Sequence, residues 1–280
     1  MLKKVLFVIL VTCSISLFTN VKAKEIEPVH YAYSNYLGSG IYHTTGQDAT
    51  LISLPFSVEL GHEGKTTYSL RLPLSLGFFD FSFGDIPELE LPNNVGTFTF
   101  TPGIQFNYQY TDNLIIESYL DLGYARNITT DRNVLVFSGG ISSLYSFNIG
   151  ELDSIWASRI YYAGYDGHNY NASDNYAAVQ IGVDSGFPVK YQILGYKYQP
   201  RVFATAFWYF TEVDFESPTI SAQNILEENK ISLTNSFEFG ATMKFDEIIG
   251  YSWAGVDTIG ISYRFSENLN VVRLLFSFPI

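Results

Sequence analysis

The stretch "GTFTFTPGIQFNYQY", residues 96–110, alternates without a slip. Phe98, Phe100, Pro102, Ile104, Phe106, Tyr108 and Tyr110 occupy one phase, and Thr97, Thr99, Thr101, Gly103, Gln105, Asn107 and Gln109 the other. Successive side chains of a strand point to opposite faces. As a strand, the segment is therefore greasy on one side and hydrogen-bonding on the other, whereas a helix would mix the two sets around its circumference. The pattern recurs. Tyr68, Leu70, Leu72, Leu74 and Leu76 oppose Ser69, Arg71, Pro73 and Ser75, and Ile259, Ile261, Tyr263 and Phe265 oppose Thr258, Gly260, Ser262 and Arg264. The segment 200–213 is greasy on both faces and its inward phase is unreadable.

Composition narrows what such strands can build. The chain holds 23 Phe, 21 Tyr and 3 Trp, and only 16% of its residues are charged, against about 25% in soluble domains. Beyond the N-terminus it has no apolar run of the ~18 residues a membrane helix needs. A closed β-barrel also crosses a membrane, because all its backbone groups are satisfied between strands. About twelve alternating segments are readable: 33–43, 49–60, 66–78, 96–110, 114–125, 133–149, 154–166, 176–187, 199–212, 231–245, 253–265 and 270–280. With the start of the chain in the periplasm, the two long connections, 79–95 and 213–230, both fall outside. Short periplasmic turns, longer outer loops and an even strand number are the habit of bacterial outer-membrane barrels. The expected fold is all-β, a transmembrane antiparallel up-and-down β-barrel of about twelve strands with both termini periplasmic. Tyrosines and tryptophans near the segment ends, among them Tyr108, Tyr110, Tyr162, Trp208 and Tyr263, suit interfacial girdles.

The first 23 residues read as a cleaved signal peptide: Lys3 and Lys4, an apolar run from Val5 to Phe18, then Val21 and Ala23 before the cut. A retained anchor and a lipobox at Cys13 are the weaker alternatives. Cleavage removes the single cysteine and takes the formal net charge from −12 to −15, because Lys3, Lys4 and Lys22 leave with no acid. Residues 24–280 are then the barrel. So acidic a chain argues against nucleic acid as a partner. The expected partners are outer-membrane lipid and lipopolysaccharide.

Ten charges fall on the polar phase: Glu59, Arg71, Glu117, Asp121, Arg159, Asp184, Glu238, Lys244, Arg264 and Arg273. Either they pair across the lumen and help plug it, or they line a water-filled route. The closing "VVRLLFSFPI" reads as the last strand, with Val272, Leu274, Phe276, Phe278 and Ile280 facing lipid and Arg273 facing the lumen. Those five residues are the expected recognition tag for the outer-membrane assembly machinery. The loop 79–95, with Asp80, Asp85, Glu88 and Glu90, is a solvated outer loop, a lid on the barrel mouth, or a cation site. The segment after Ser217-Pro218 has the start signal of a short surface helix. No catalytic, cofactor or metal-ligand signature is recognisable. A rim hydrolase would draw on His43, or on His168 with Asp166, Ser173 and Asp174, and the long loops are candidates for surface binding.

Four passages, "YLGSGIYHTTGQDATLISLPFSVEL", "LRLPLSLGFFDF", "FTPGIQFNYQY" and "YLDLGYA", resemble the solitary autotransporter-like β-barrels of diderm bacteria. The resemblance runs from about Gly38 to Ile280. It implies a twelve-stranded outer-membrane barrel without a fused passenger and with no established substrate, and it transfers no catalytic residue. The chain departs from the usual outer-membrane ending in Phe, closing instead with Phe278-Pro279-Ile280.

Overall fold

The computed structural model describes residues 39–44, 47–79, 96–128, 132–167, 172–218, 228–251, 254–267 and 269–279. These are strands and the turns between them: β1 (Gly40–Thr44), β2 (Gln47–Glu63), β3 (Thr66–Phe79), β4 (Thr97–Phe100), β5 (Gly103–Thr111), β6 (Leu114–Asn127), β7 (Arg132–Ile149), β8 (Leu152–Gly167), β9 (Ala172–Gly186), β10 (Tyr191–Ile193), β11 (Tyr196–Pro218), β12 (Glu228–Tyr251), β13 (Ala254–Phe265) and β14 (Leu269–Leu275). Except for β4 with β5 and β9 with β10, neighbours in sequence pair antiparallel. In addition β9 pairs with β11, and β1 with β14. The ladder therefore returns on itself as a closed antiparallel barrel. β4 and β5 make one stave, both lying between β3 and β6. β10 is a short ribbon outside the ring, so the staves number twelve.

The interruption between β4 and β5 has a local cause. Pro102 has no N–H to give the ladder, and Pro73 faces Pro55 at the neighbouring position of β2 and β3. What remains is met by single bonds: Thr101 N–H donates to the Pro73 carbonyl at 3.2 Å, and Leu122 N–H to the Pro102 carbonyl at 3.0 Å.

Two-residue links close one end of the barrel at Gly64-Lys65, Asp112-Asn113, Gly150-Glu151 and Leu194-Gly195. Gly64 and Gly150 take positive φ, which glycine adopts without a Cβ clash. The other end carries the longer connections. The extra length of 188–198 is explained by β10, which pairs back on β11 across Leu194 (φ 48°) and Gly195 (φ 89°). This is the doubly left-handed turn whose twist matches a hairpin.

The alternation sorts the faces as the sequence implies. Thr97, Thr99, Asp121, Ala125, Ser138 and Ser142 are buried inside, while Phe98, Phe100, Leu120, Leu122, Tyr124 and Ile141 are exposed outside. On the outer face aliphatic residues occupy mid-height: Ile104, Leu120, Ile141, Ile160, Val202 and Ile261. Aromatics flank them, Tyr108, Tyr110, Tyr145 and Trp156 toward the short turns and Phe98, Tyr124, Tyr162, Trp208 and Phe265 toward the long connections.

Three expectations need correction. The last strand ends at Leu275, not at Ile280. Phe276 and Ser277 bend away, and Phe278 packs against the cluster of Leu275, Ala157 and Phe203, which Leu144 also flanks. That cluster sits on the inward phase of β14, β8 and β11, so Phe278 crosses the lumen and does not face lipid. The cause is Pro279 beside a bend: without a donor it cannot extend the ladder, and an inward apolar patch is available. The described half of the connection 213–230 is strand, because Val213–Pro218 pairs with Glu228–Leu233 beyond a bulge at Trp208/Val213. Ser217 and Pro218 are therefore strand residues, and the rest of the expected helix lies outside the described residues. The first strand is described only from Gly40. The expected signal peptide, residues 33–38 and Ile280 lie outside the described residues, as does 80–95.

Candidate lumen site

The inward charges form clusters whose members come from distant parts of the chain. On β3, Arg71 donates from Nε to Asp121 Oδ1 of β6 at 2.9 Å and from Nη1 to Gln105 of β5 at 2.9 Å. Its guanidinium lies 4.3 Å from the centre of the Tyr119 ring, within cation–π range. Asp121 is 1% exposed and also accepts from Ser138 at 3.4 Å. Gly103 stands opposite Asp121, and a Cβ there would collide with that carboxylate. The ion pair thus needs glycine at this position.

A continuous row crosses the barrel wall one rung away: Glu117↔Ser142, Ser142↔Arg159, Arg159↔Gln180 and Gln180↔Phe207. Arg159 Nε donates to Ser142 at 2.8 Å. Near the closing strands, Glu238 of β12 is 1% exposed and accepts from Arg273 Nη1 and from Ser262 Oγ, both at 2.6 Å. Arg264 donates from Nε to Ser236 at 2.9 Å and from Nη2 to Tyr209, and it lies 3.9 Å from the Phe207 ring centre.

A fourth cluster contains residues outside the ten expected inward charges. Arg201 of β11, 3% exposed, donates from Nε to Asp184 of β9 and from Nη1 to Asp153 of β8 at 2.9 Å and to Gln199 at 3.1 Å. Gly186 leaves room for it: a Cβ there would strike both Asp153 and Arg201. A usable signal existed, because Arg201 and Thr205 share a phase in the otherwise greasy 200–213. That phase is the inward one, with Phe203 and Phe207.

Of the ten charges expected inside, Arg71, Asp121, Arg159, Asp184, Glu238, Arg264 and Arg273 take part in these clusters, and Glu117 stands half-buried in the Arg159 row. Glu59 and Lys244 fall on the same phase but are exposed toward the short-turn end. Of the five expected tag residues, Leu274 is exposed outside and Val272 shares its phase, whereas Phe276 and Phe278 turn into the lumen.

A cavity of about 230 Å³ remains at the level of Arg71, Arg159, Arg264 and Arg273, closed on one side by Phe276–Pro279. Tyr161 also borders it and stacks edge-on against Tyr176, which meets Tyr209 at 5.7 Å.

The residues weighed for a rim hydrolase are not brought together among the described residues. Asp166 and Ser173 pair directly across β8 and β9 and are exposed, Asp174 falls on the opposite phase, and His168 lies outside the described residues. Likewise, among the described residues no three His, Cys, Asp or Glu are grouped to hold a metal.

No family model matches this chain, and no curated protein matches it. Among solved structures it is similar to the outer membrane transporter YddB from Escherichia coli, at 13% identity and a TM-score of 0.31, with 81% of this chain and 36% of that chain covered. The chain thus spans about a third of that protein's length. The barrel is established by the strand pairing itself.

Proposed function

We propose that this protein is an integral β-barrel of a bacterial outer membrane, of the solitary autotransporter-like kind, whose lumen is occluded at rest by its own side chains and C-terminal segment. The observation that carries this reading is the inversion of faces. Ile104, Leu120, Leu122, Ile160, Ile261 and Leu274 are 45–63% exposed on the outside, while Asp184, Asp121, Glu238, Arg201 and Arg264 are 0–3% exposed within. Water would penalise that outer belt, and hydrocarbon accepts it. The aromatics at both margins of the belt match the two interfaces. A freely conducting pore needs an open path, whereas here inward charges are paired and Phe278 reaches across to the cluster on β8 and β11. Of the two roles weighed for such a barrel, small pore and structural membrane component, this favours the second, or a pore that must first displace the segment.

Planar-bilayer recording tests it. The intact protein should show no steady conductance, and deletion of 276–280 should produce channel events. Steady conductance from the intact chain would refute the occlusion.

The recognition-tag role of Val272, Leu274, Phe276, Phe278 and Ile280 belongs to the same proposal. A tag read before the barrel closes can be folded inward afterwards. Val272→Asp with Leu274→Asp leaves the inward segment untouched and should abolish insertion into the outer membrane in cells. Normal insertion of that variant would remove the role from these two positions.

A further inference from the structure

We infer that the hairpin of β10 and the start of β11 is a lipid anchor, its outer face lying in the phospholipid headgroup layer at the short-turn end of the barrel. The inference rests on the reading of the outer face as lipid-facing. Among the described residues that end has four two-residue links. Three are tipped by exposed polar residues: Lys65, Asp112 with Asn113, and Glu151. The fourth is tipped by Leu194, 93% exposed, and flanked by Ile193 and Tyr196, which are exposed as well. Leu194 also takes φ 48°, in a turn that favours Asn or Gly at such a position. Leucine there costs the turn and serves an apolar contact outside it.

The hairpin is amphipathic, and its apolar face continues the belt. Tyr191↔Tyr198 and Ile193↔Tyr196 share one face, and Gln192↔Lys197 takes the other. On β11 the first face is the phase of Val202 and Trp208, which are exposed outside. The rings join the hairpin to the wall: Tyr191 meets Tyr198 at 5.9 Å, and Tyr198 and Tyr196 meet Phe245 of β12 at 5.9 and 6.4 Å. Lys190 adds an ion pair to Asp246 at 2.6 Å. Height decides the occupant. Trp208 stands at the long-connection margin of the belt, and Tyr198 lies one crossing of ~9–11 residues away in the same phase. The Ile193↔Tyr196 rung is the next one on that face, about 5 Å farther from the midplane for a strand tilted ~40°. The headgroup layer is ~5–7 Å deep on each side, so this rung is still within the membrane. An apolar ring with a polar tip suits that layer, and the polar reverse face suits an element lying at its surface.

Nitroxide quenching in phosphatidylcholine vesicles tests it, on the full chain with Cys13→Ser so that a fluorophore sits on one added cysteine. Ile193→Cys and Leu194→Cys report the hairpin, Glu151→Cys a polar tip, and Ile160→Cys the middle of the belt. A nitroxide on the lipid headgroup should quench the hairpin labels at least twofold more than the Glu151 label. A nitroxide deep in the acyl chain should quench the Ile160 label most. Heat-modifiable migration on gels confirms folding, and either hairpin variant suffices where the other fails to fold. Deep quenching at Ile160 with hairpin labels no different from Glu151 overturns the anchor, leaves the outer-membrane reading standing and turns the tip toward a periplasmic protein. Absence of quenching at Ile160 overturns both.

Discussion

β7 and β14 stand on opposite sides of the barrel and are held in different ways. β7 is laddered to β6 from Leu114↔Tyr145 through Asn127↔Arg132, and to β8 from Leu135↔Asp166 through Ile149↔Leu152. Among the described residues β14 meets β1 over Gly40–Thr44 against Leu269–Arg273, and β13 from Gly260↔Leu275 to Phe265↔Asn270. Where the ladder is short, side chains and single bonds supplement it. Ser39 Oγ lies 2.6 Å from both the carbonyl and the amide N of Ser53, donating to the first and accepting from the second. The Leu274 amide donates to the Ser39 carbonyl at 3.1 Å, and Arg273 ties β14 to Glu238 of β12. A long wall can leave its inward residues to other tasks, whereas a short seam has to recruit them.

The largest expected effect tests whether both regions rely on buried charge equally. Arg201→Gln strands Asp184, which is fully buried and has one oxygen without a partner among the described residues. This should cost about 3–5 kcal/mol, most of it regained in Arg201→Gln with Asp184→Asn. At the seam Ser262 still holds Glu238, so Arg273→Gln should cost less, about 2–3 kcal/mol. Urea unfolding followed by tryptophan fluorescence reads both, and equal losses would erase the distinction. Next, Ile160→Arg in the wall and Leu274→Arg in the seam should each cost about 2–4 kcal/mol in lipid vesicles if the outer face meets hydrocarbon at mid-height. A loss below 1 kcal/mol at either site would contradict the lipid-facing belt there. The smallest effect isolates the seam's substitute for a ladder. Ser39→Ala should cost about 1–2 kcal/mol and make the Ser53 amide exchange roughly tenfold faster, while Ser138→Ala in the wall should cost under about 1 kcal/mol. Unchanged exchange at Ser53 would show that the hydroxyl adds nothing to the seam.

Most of the wall was legible from residue order, and the reasons are local. Period-two alternation follows from strand stereochemistry alone, so Thr97, Thr99, Gln105 and Asp121 could be placed inside, and Phe98, Ile104 and Leu120 outside, before any partner strand was known. The number of staves follows from the same count. Legibility failed where both faces were apolar, as around Arg201, and where a local rule met a tertiary opportunity, as at Phe276–Pro279.

What sequence by itself determined is therefore the type of element, its two faces, the stave count and the identity of most inward charges, because each depends on neighbours two residues apart. Only the tertiary structure decided which charge meets which. Arg71 is fifty residues from Asp121 and Arg273 thirty-five from Glu238, and their meeting depends on register and closure around the whole ring. The last segment was decided there as well. Alternation continued its apolar phase out to lipid, but the inward patch of Ala157, Phe203 and Leu144 exists only once β7, β8 and β11 have been brought opposite β14.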